Sequence, residues 1–308
     1  MDILTGVIRA LPGSISEGLI WGIMAIGVYI TYKILDFADL TVDGSMCTGG
    51  AVSAILIIKG VNPLVTLIFA LFAGMLAGVI TGLLHTKLKI PAILSGILTQ
   101  LALYSINLRI MGRANLPLLN QPTIVSLGEI SKSIMVTLII VAIIVAFLYW
   151  FFGTEIGMSI RATGNNERMV SALGVNTSTM KVYALVLSNG LVALSGALMV
   201  QFKGNADINI SRGAIVIGLA SVIIGEVVFG KRFNFAYLLA SIVGGASIYY
   251  IIIAVVLQLG LGTSDLKLFS AVVVALALAI PVLQKKRRMN INVKRRNKQL
   301  QDSAKENG

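Results

Sequence analysis

The sequence predicts an all-α polytopic membrane protein of about nine transmembrane helices, with an interrupted second span and a short helix on the cytoplasmic face. Three observations carry this expectation. Of 308 residues, 56% are apolar and only 12% charged, where a water-soluble domain carries about a quarter charged. The mean hydropathy is +0.90. Apolar runs close to the roughly 20 residues that cross a bilayer recur along the whole chain. The single cysteine, Cys47, excludes an intrachain disulfide and a thiolate metal cluster. The single histidine, His85, excludes a multi-histidine site and, beside Lys87 and Lys89, reads as a solvated loop residue.

Runs bounded by Pro, Gly and charge place the spans at 16–35, 40–58, 63–84, 91–111, 134–152, 180–201, 213–230, 235–257 and 268–283. The gaps at 112–133 and 153–179 are long, and the other connections are short enough to join antiparallel neighbours. Nine spans put the two ends on opposite sides. The tail, 285–308, holds nine of the 25 Lys and Arg residues, and with it inside the count is 17 basic residues inside against 8 outside. The positive-inside rule favours that sense, and the tail alone decides it. The chain thus divides into a transmembrane domain, 1–284, and a basic cytoplasmic tail, 285–308, in a cell membrane. The first apolar run has no small-residue cleavage pattern and is expected to be retained. The net charge of +12 sits mostly on the tail, which suits anionic lipid and not nucleic acid.

The stretch DLTVDGSMCTGGA, 39–51, places polar residues where the pattern asks for a span. An acidic side chain in a span costs about 2.5–3.5 kcal/mol on insertion scales, so Asp43 is expected to face protein or a cavity. Two roles remain open for it: a place in a translocation path or gate, or the cap of a helix restarting at Gly44. Gly49 and Gly50 mark the expected break, and Ser45, Thr48 and Ser53 read as helix-packing residues. Asp43, Gly44, Ser45, Thr48, Gly49 and Gly50 form the candidate path, with Asn189 near the middle of the sixth span and Glu226 near the end of the seventh. GEVVFGKR, 225–232, nearly matches a phosphate loop, but Arg232 replaces the hydroxyl that would hold magnesium. No other nucleotide motif and no nucleophile–base set exists in the chain. The protein is therefore expected to be no enzyme and to bind no cofactor.

The segment 153–179 is too polar to span and too patterned for a slack linker. Asn165 or Asn166 can cap a short helix with Glu167 in its first turn; Met169, Val170 and Leu173 share one face, and Gly174 supplies a stop. Such a helix either lies on lipid or enters a groove on a partner protein.

Gly157, Arg161, Ala162, Gly164, Asn165, Ala172 and Gly174 read G-x-x-x-R-A-x-G-N-x-x-x-x-x-x-A-x-G. This pattern resembles the membrane subunits of ATP-binding-cassette importers, in the branch of branched-chain amino-acid, ribose and nucleoside permeases. FADLTVDGS, 37–45, looks most like the singly encoded permeases assigned to tryptophan or tyrosine. The resemblance implies that 153–179, including Glu167 and Arg168, is a coupling segment docked on a cytoplasmic ATPase, where ATP and magnesium are bound. It implies a homodimer, two ATPase subunits, an extracytoplasmic binding protein and alternating access for a small amino acid, aromatic ones among them. Ribose or a nucleoside is the alternative cargo. The rival from another class is an ion-coupled secondary transporter using Asp43 and Glu226, which would need a second interrupted span in the other half of the chain.

Overall fold

The computed structural model describes residues 3–230 and 234–258, and beyond them 268–269, 271–275 and 279. Among the described residues, seven helices are long and apolar enough to cross a membrane. They are α1 (Ile3–Tyr29, continued by a π-turn at Ile30–Ile34), α2 (Thr41–Ile58), α3 (Pro63–Thr86), α4 (Ala92–Met111), α5 (Ile130–Phe151), α8 (Thr177–Lys203) and α10 (Phe235–Gln258). Two short helices, α6 (Glu155–Asn165) and α7 (Glu167–Ala172), fill the long polar segment, and α9 (Ala214–Phe229) is a shorter apolar helix of 16 residues at the predicted seventh span. The described residues of the predicted ninth span are helical; Lys231, Arg232 and the tail 285–308 lie outside the described residues.

Successive helices run antiparallel, so the bundle has two ends. One carries the segment 153–176. The other carries a two-stranded antiparallel hairpin, β1 (Asn115–Pro117) with β2 (Asn205–Asp207), in the register Leu116 opposite Ala206. Met111, Leu116, Leu118, Ala206 and Ile208 pack beneath the hairpin against Ala51, Ala54 and Ile57 of α2. We call these the linker end and the hairpin end.

Helix α8 is the axis of the fold: every residue from 188 to 202 is buried, and α1, α2 and α3 wrap around it. Between helices in lipid there is little hydrophobic drive, so close backbone approach through small residues supplies the association. Gly74, Gly78 and Gly82 recur every fourth residue on α3, where added Cβ atoms would strike the Asn189 carbonyl, the Leu185 carbonyl and Val182 of α8. The outward faces of α3, α4 and α5 are apolar and exposed, with Phe69, Phe72, Leu98, Ile143 and Trp150 among them.

The expected interruption inside the second span is not found. Helix α2 runs unbroken through Gly49 and Gly50, where Gly49 lies against the Ala193 backbone and Gly196 of α8 against the Met46 carbonyl. Glycine costs about 1 kcal/mol per residue in a helix interior, and here the close α2–α8 contact that only glycine permits offsets it. The break comes earlier, at the π-turn 30–34 and the irregular residues 35–40, with Asp36 at a left-handed φ of 56°.

Candidate functional site

The chain re-enters the bundle at 35–40 as non-helical backbone, and its polar groups must find partners there. Asp39, 2% exposed, accepts the Thr41 amide at 2.9 Å and the Asn189 side-chain amide at 2.7 Å. Asn189 also donates to the Leu185 carbonyl at 3.0 Å and accepts from the Ser45 hydroxyl at 2.6 Å. Every polar atom of Asn189 thus has a partner. It lies 12 residues into α8, about 18 Å along its axis at 1.5 Å per residue. Thr41, Thr81 and Thr99 form a second chain of hydroxyls across α2, α3 and α4, at 2.7 and 2.9 Å. Thr48 bonds back to the Gly44 carbonyl at 2.9 Å, and Ser53 meets Thr66 at 3.0 Å.

Asp43 has a different partner from the one its position suggests. It sits in the first turn of α2, but its carboxylate caps α9, accepting the Gly213 amide at 3.0 Å and the Ile215 amide at 3.3 Å. Gly213, at φ 86°, occupies the cap position of α9 without a side chain to offer, so the carboxylate comes from another helix. The N-termini of two helices converge on one anion, which their dipoles favour.

Beside this cap lies a cavity of about 300 Å³, lined by Asp43, Gly44, Cys47, Gln100, Tyr104 and Asn107 from α2 and α4, together with Ser211 and Arg212 from the loop before α9. Asn107 is fully buried; its Nδ2 faces the Gly44 carbonyl at 3.4 Å, while its Oδ1 has no partner. The loop 208–213 dips between the helices and brings Arg212 to the cavity wall. Of the candidate path residues, Asp43 and Gly44 line the cavity. Ser45, Thr48, Gly49, Gly50 and Asn189 are buried in the α2–α8 seam. Glu226, near the linker end of α9, stands 3.9 Å from Lys33.

At the linker end, Thr154 caps α6 through the Gly157 amide at 3.3 Å, Asn166 caps α7 through Met169 at 3.1 Å, and Asn176 caps α8 through Thr179 at 3.2 Å. Gly174 follows α7 at φ 85°. Gly157 passes the Phe151 carbonyl, and Gly164 packs against the Ile34 carbonyl at the π-turn. Arg161 lies over the Phe235 ring at 5.0 Å. Ala162 is half-buried, and Asn165, Arg168, Met169, Ala172 and Leu173 are exposed. Glu167 pairs with Lys181 at 2.7 Å, and that bond draws its carboxyl below the usual range. So α6 is built into the bundle, while α7 projects with Arg168, Met169 and Leu173 outward.

Among the described residues no three His, Cys, Asp or Glu side chains gather to hold a metal. Sequence reasoning passed over Asp39, which the quoted FADLTVDGS contained, and the α3 glycines, whose spacing of four was the available signal.

Residues 13–281 match the branched-chain amino acid transport system permease component family. The chain belongs to that family. It is therefore a permease of the ATP-binding-cassette transporter class, in the branch its segment 157–174 resembles. It is 43% identical to the tyrosine transport system permease protein of Clostridioides difficile over 271 residues, 88% of this chain and 90% of that one. It is 31% identical to the galactofuranose transporter permease protein YtfT of Escherichia coli, over 67% of this chain and 60% of that one. The solved structure of PsaBC from Streptococcus pneumoniae in complex with Fab shares the fold at a TM-score of 0.50 and 14% identity, covering 90% of this chain and 91% of that one.

Proposed function

We propose that this permease is the membrane subunit of an ATP-driven importer for an amino acid, with tyrosine and its aromatic relatives as the first class to test. The observation that carries the cargo is the 43% identity to a tyrosine transport permease across nearly the full length of both chains. The chain itself binds no nucleotide in this reading, and a separate pair of ATPase subunits supplies the work. They dock on the linker end, which makes it and the basic tail cytoplasmic, and a binding protein delivers cargo to the hairpin end. Two copies of the chain, related by a two-fold axis, form the conduit.

The projection of α7 supports the docking assignment. An exposed helix of six residues with Met169 and Leu173 outward has too small an apolar face to anchor in lipid, and it suits a groove on a partner. The ion-coupled alternative is disfavoured because it needs a pair of interrupted spans, and α2 runs unbroken through Gly49 and Gly50.

The test is co-purification and transport. The chain co-expressed with the ATPase from its own gene cluster is expected to retain that ATPase through purification, and to lose it when Arg168 and Leu173 are both replaced by Glu. In vesicles, labelled tyrosine uptake is expected only with ATP and the partner. An ATPase that stays bound to the double variant ends the docking assignment, and uphill uptake by the purified chain alone ends the importer reading.

A further inference from the structure

The α9 cap and the cavity beside it have an unusual inventory. Two backbone amides, of Gly213 and Ile215, converge on one carboxylate, and that carboxylate is borrowed from α2. Helix N-termini of this kind are anion seats, and where such helices are short within a membrane protein they face the anionic groups of substrates. A helix end by itself would say little. The second observation is independent: Asn107, fully exposed to no solvent and lining the same cavity, leaves its Oδ1 without a hydrogen-bond donor. A buried acceptor left unpaired costs free energy, and a native fold retains one where a ligand or another absent group supplies the donor. The cavity therefore offers amides suited to a carboxylate, with Arg212 beside them, next to an unsatisfied acceptor and an acid suited to an ammonium.

We propose that this cavity seats the zwitterionic end of an α-amino acid, whose carboxylate displaces Asp43 from the amides of Gly213 and Ile215 while its ammonium is taken by the released Asp43 and Asn107 Oδ1. Asp43 is then a tethered stand-in for the cargo's own carboxylate, closing the seat when no cargo is present. The exchange is balanced, because the amides pass from one anion to another and the released anion gains a cation. The inference rests on the amino-acid reading above and adds the atoms that recognise the cargo. A solute lacking either charge cannot complete the exchange.

The experiment is equilibrium binding of labelled L-amino acids, tyrosine first, to the purified full-length chain in lipid nanodiscs. Tyramine, which lacks the carboxylate, and 3-(4-hydroxyphenyl)propionate, which lacks the amine, serve as competitors. Each is expected to compete at least about tenfold more weakly than L-tyrosine, as befits loss of one charged hydrogen-bonded group. Asp43→Asn retains an acceptor for the α9 cap but not the charge, and is expected to weaken L-tyrosine about 10- to 100-fold while strengthening the propionate, which then has no anion to displace. Asn107→Leu should act in the same direction, and Asn107→Asp, which adds a charge toward the ammonium, in the opposite one. Tyramine competing as well as tyrosine, or variants that bind tyrosine as the wild type does, overturns the proposal. If ATP-driven uptake of tyrosine persists in the assembled transporter under those outcomes, the importer reading stands without this site. If no amino acid binds and none is taken up, both fall.

Discussion

Replacing Asn189 by leucine, a side chain of similar size, removes the hub of the buried polar cluster in one step. The variant loses the 2.7 Å bond to Asp39 and the 2.6 Å bond from Ser45. The Leu185 carbonyl keeps its helical partner, so its loss counts for little. Asp39, 2% exposed, is left with the Thr41 amide and no side chain from α8. A hydrogen bond to a charged group is worth about 1.5–3 kcal/mol and one to a neutral hydroxyl about 1 kcal/mol. Interhelical bonds within membranes run lower, averaging about 0.6 kcal/mol, because the unfolded chain in lipid finds other partners. The expected cost of Asn189→Leu is accordingly about 2–4 kcal/mol. Making Asp39 leucine as well removes the stranded acid, and the double variant should recover more than half of that loss. Equilibrium unfolding in mixed detergent micelles, followed by the fluorescence of Trp21 and Trp150, measures the wild type, the two single variants and the double variant. A cost under about 1 kcal/mol for Asn189→Leu would refute the reasoning. So would a double variant as unstable as the sum of the two single changes, since additivity means the groups are not coupled.

Two glycines on the same sequence logic should respond in opposite senses. Gly49→Ala drives a methyl into the Ala193 backbone and should destabilise by about 1–3 kcal/mol, whereas Gly13→Ala in α1 meets nothing within 4 Å and should stabilise by about 0.5–1 kcal/mol; the same unfolding assay reads both. Asp43→Ala should cost about 0.5–2 kcal/mol through the lost α9 cap, with Asp43→Asn closer to wild type, and equal losses for the two would show that capping is not the role. The Glu167–Lys181 pair holds α7 against α8. Because the folded carboxyl is drawn downward, the stability it lends is present above the ordinary Glu range and is lost as the pH falls through the lowered value. Glu167→Gln should therefore speed hydrogen exchange of the amides 167–174 at neutral pH, by an amount that corresponds to less than about 1 kcal/mol for a partly exposed pair, and should leave little further change on acidification.

Much of the architecture was legible because the bilayer imposes it. Apolar runs of about 20 residues are required by the thickness of the hydrocarbon, and the spans read from them coincide with α2 through α5 and with α8 to α10 within a few residues. The cap at Asn166, one of the two candidates at that turn, was legible for the same kind of reason, since a polar side chain three residues before an amide is a local relation. Gly49 and Gly50 were misread. Their low helix propensity is local, but their partner in α8 is more than 140 residues away, and a one-body preference cannot reveal a two-body contact. Asp43 fell between its two expected roles for a similar reason. It is a cap, but of a helix that begins 170 residues later, and no spacing rule connects the two. Asp39 went unnoticed because an acid just outside an apolar run reads as interfacial, and only the re-entry of 35–40 buries it.

The two sites that matter are joined by one stretch of chain. Helix α6 packs through Gly164 onto the carbonyl of Ile34, which ends the π-turn. From there only the irregular residues 35–40 separate the linker end from Asp39, and four more residues lead to Asp43 at the cavity. A π-turn followed by non-helical backbone is less strongly held than the helices on either side, because it lacks their regular ladder of hydrogen bonds. A push on α6 therefore has a short covalent route to the α9 cap, while α8, buried from 188 to 202 and bonded to Asp39 through Asn189, supplies the fixed frame against which that route can shift. What lies between α6 and the cavity is the least regular segment of the bundle, anchored at one point by a buried side-chain amide. Gly164→Val, which wedges α6 away from the turn, tests that connection: tyrosine binding at the cavity should persist while ATP hydrolysis by the assembled transporter no longer drives uptake. Uptake at the wild-type rate in that variant would show that force reaches the cavity by another way, through Lys181 and α8.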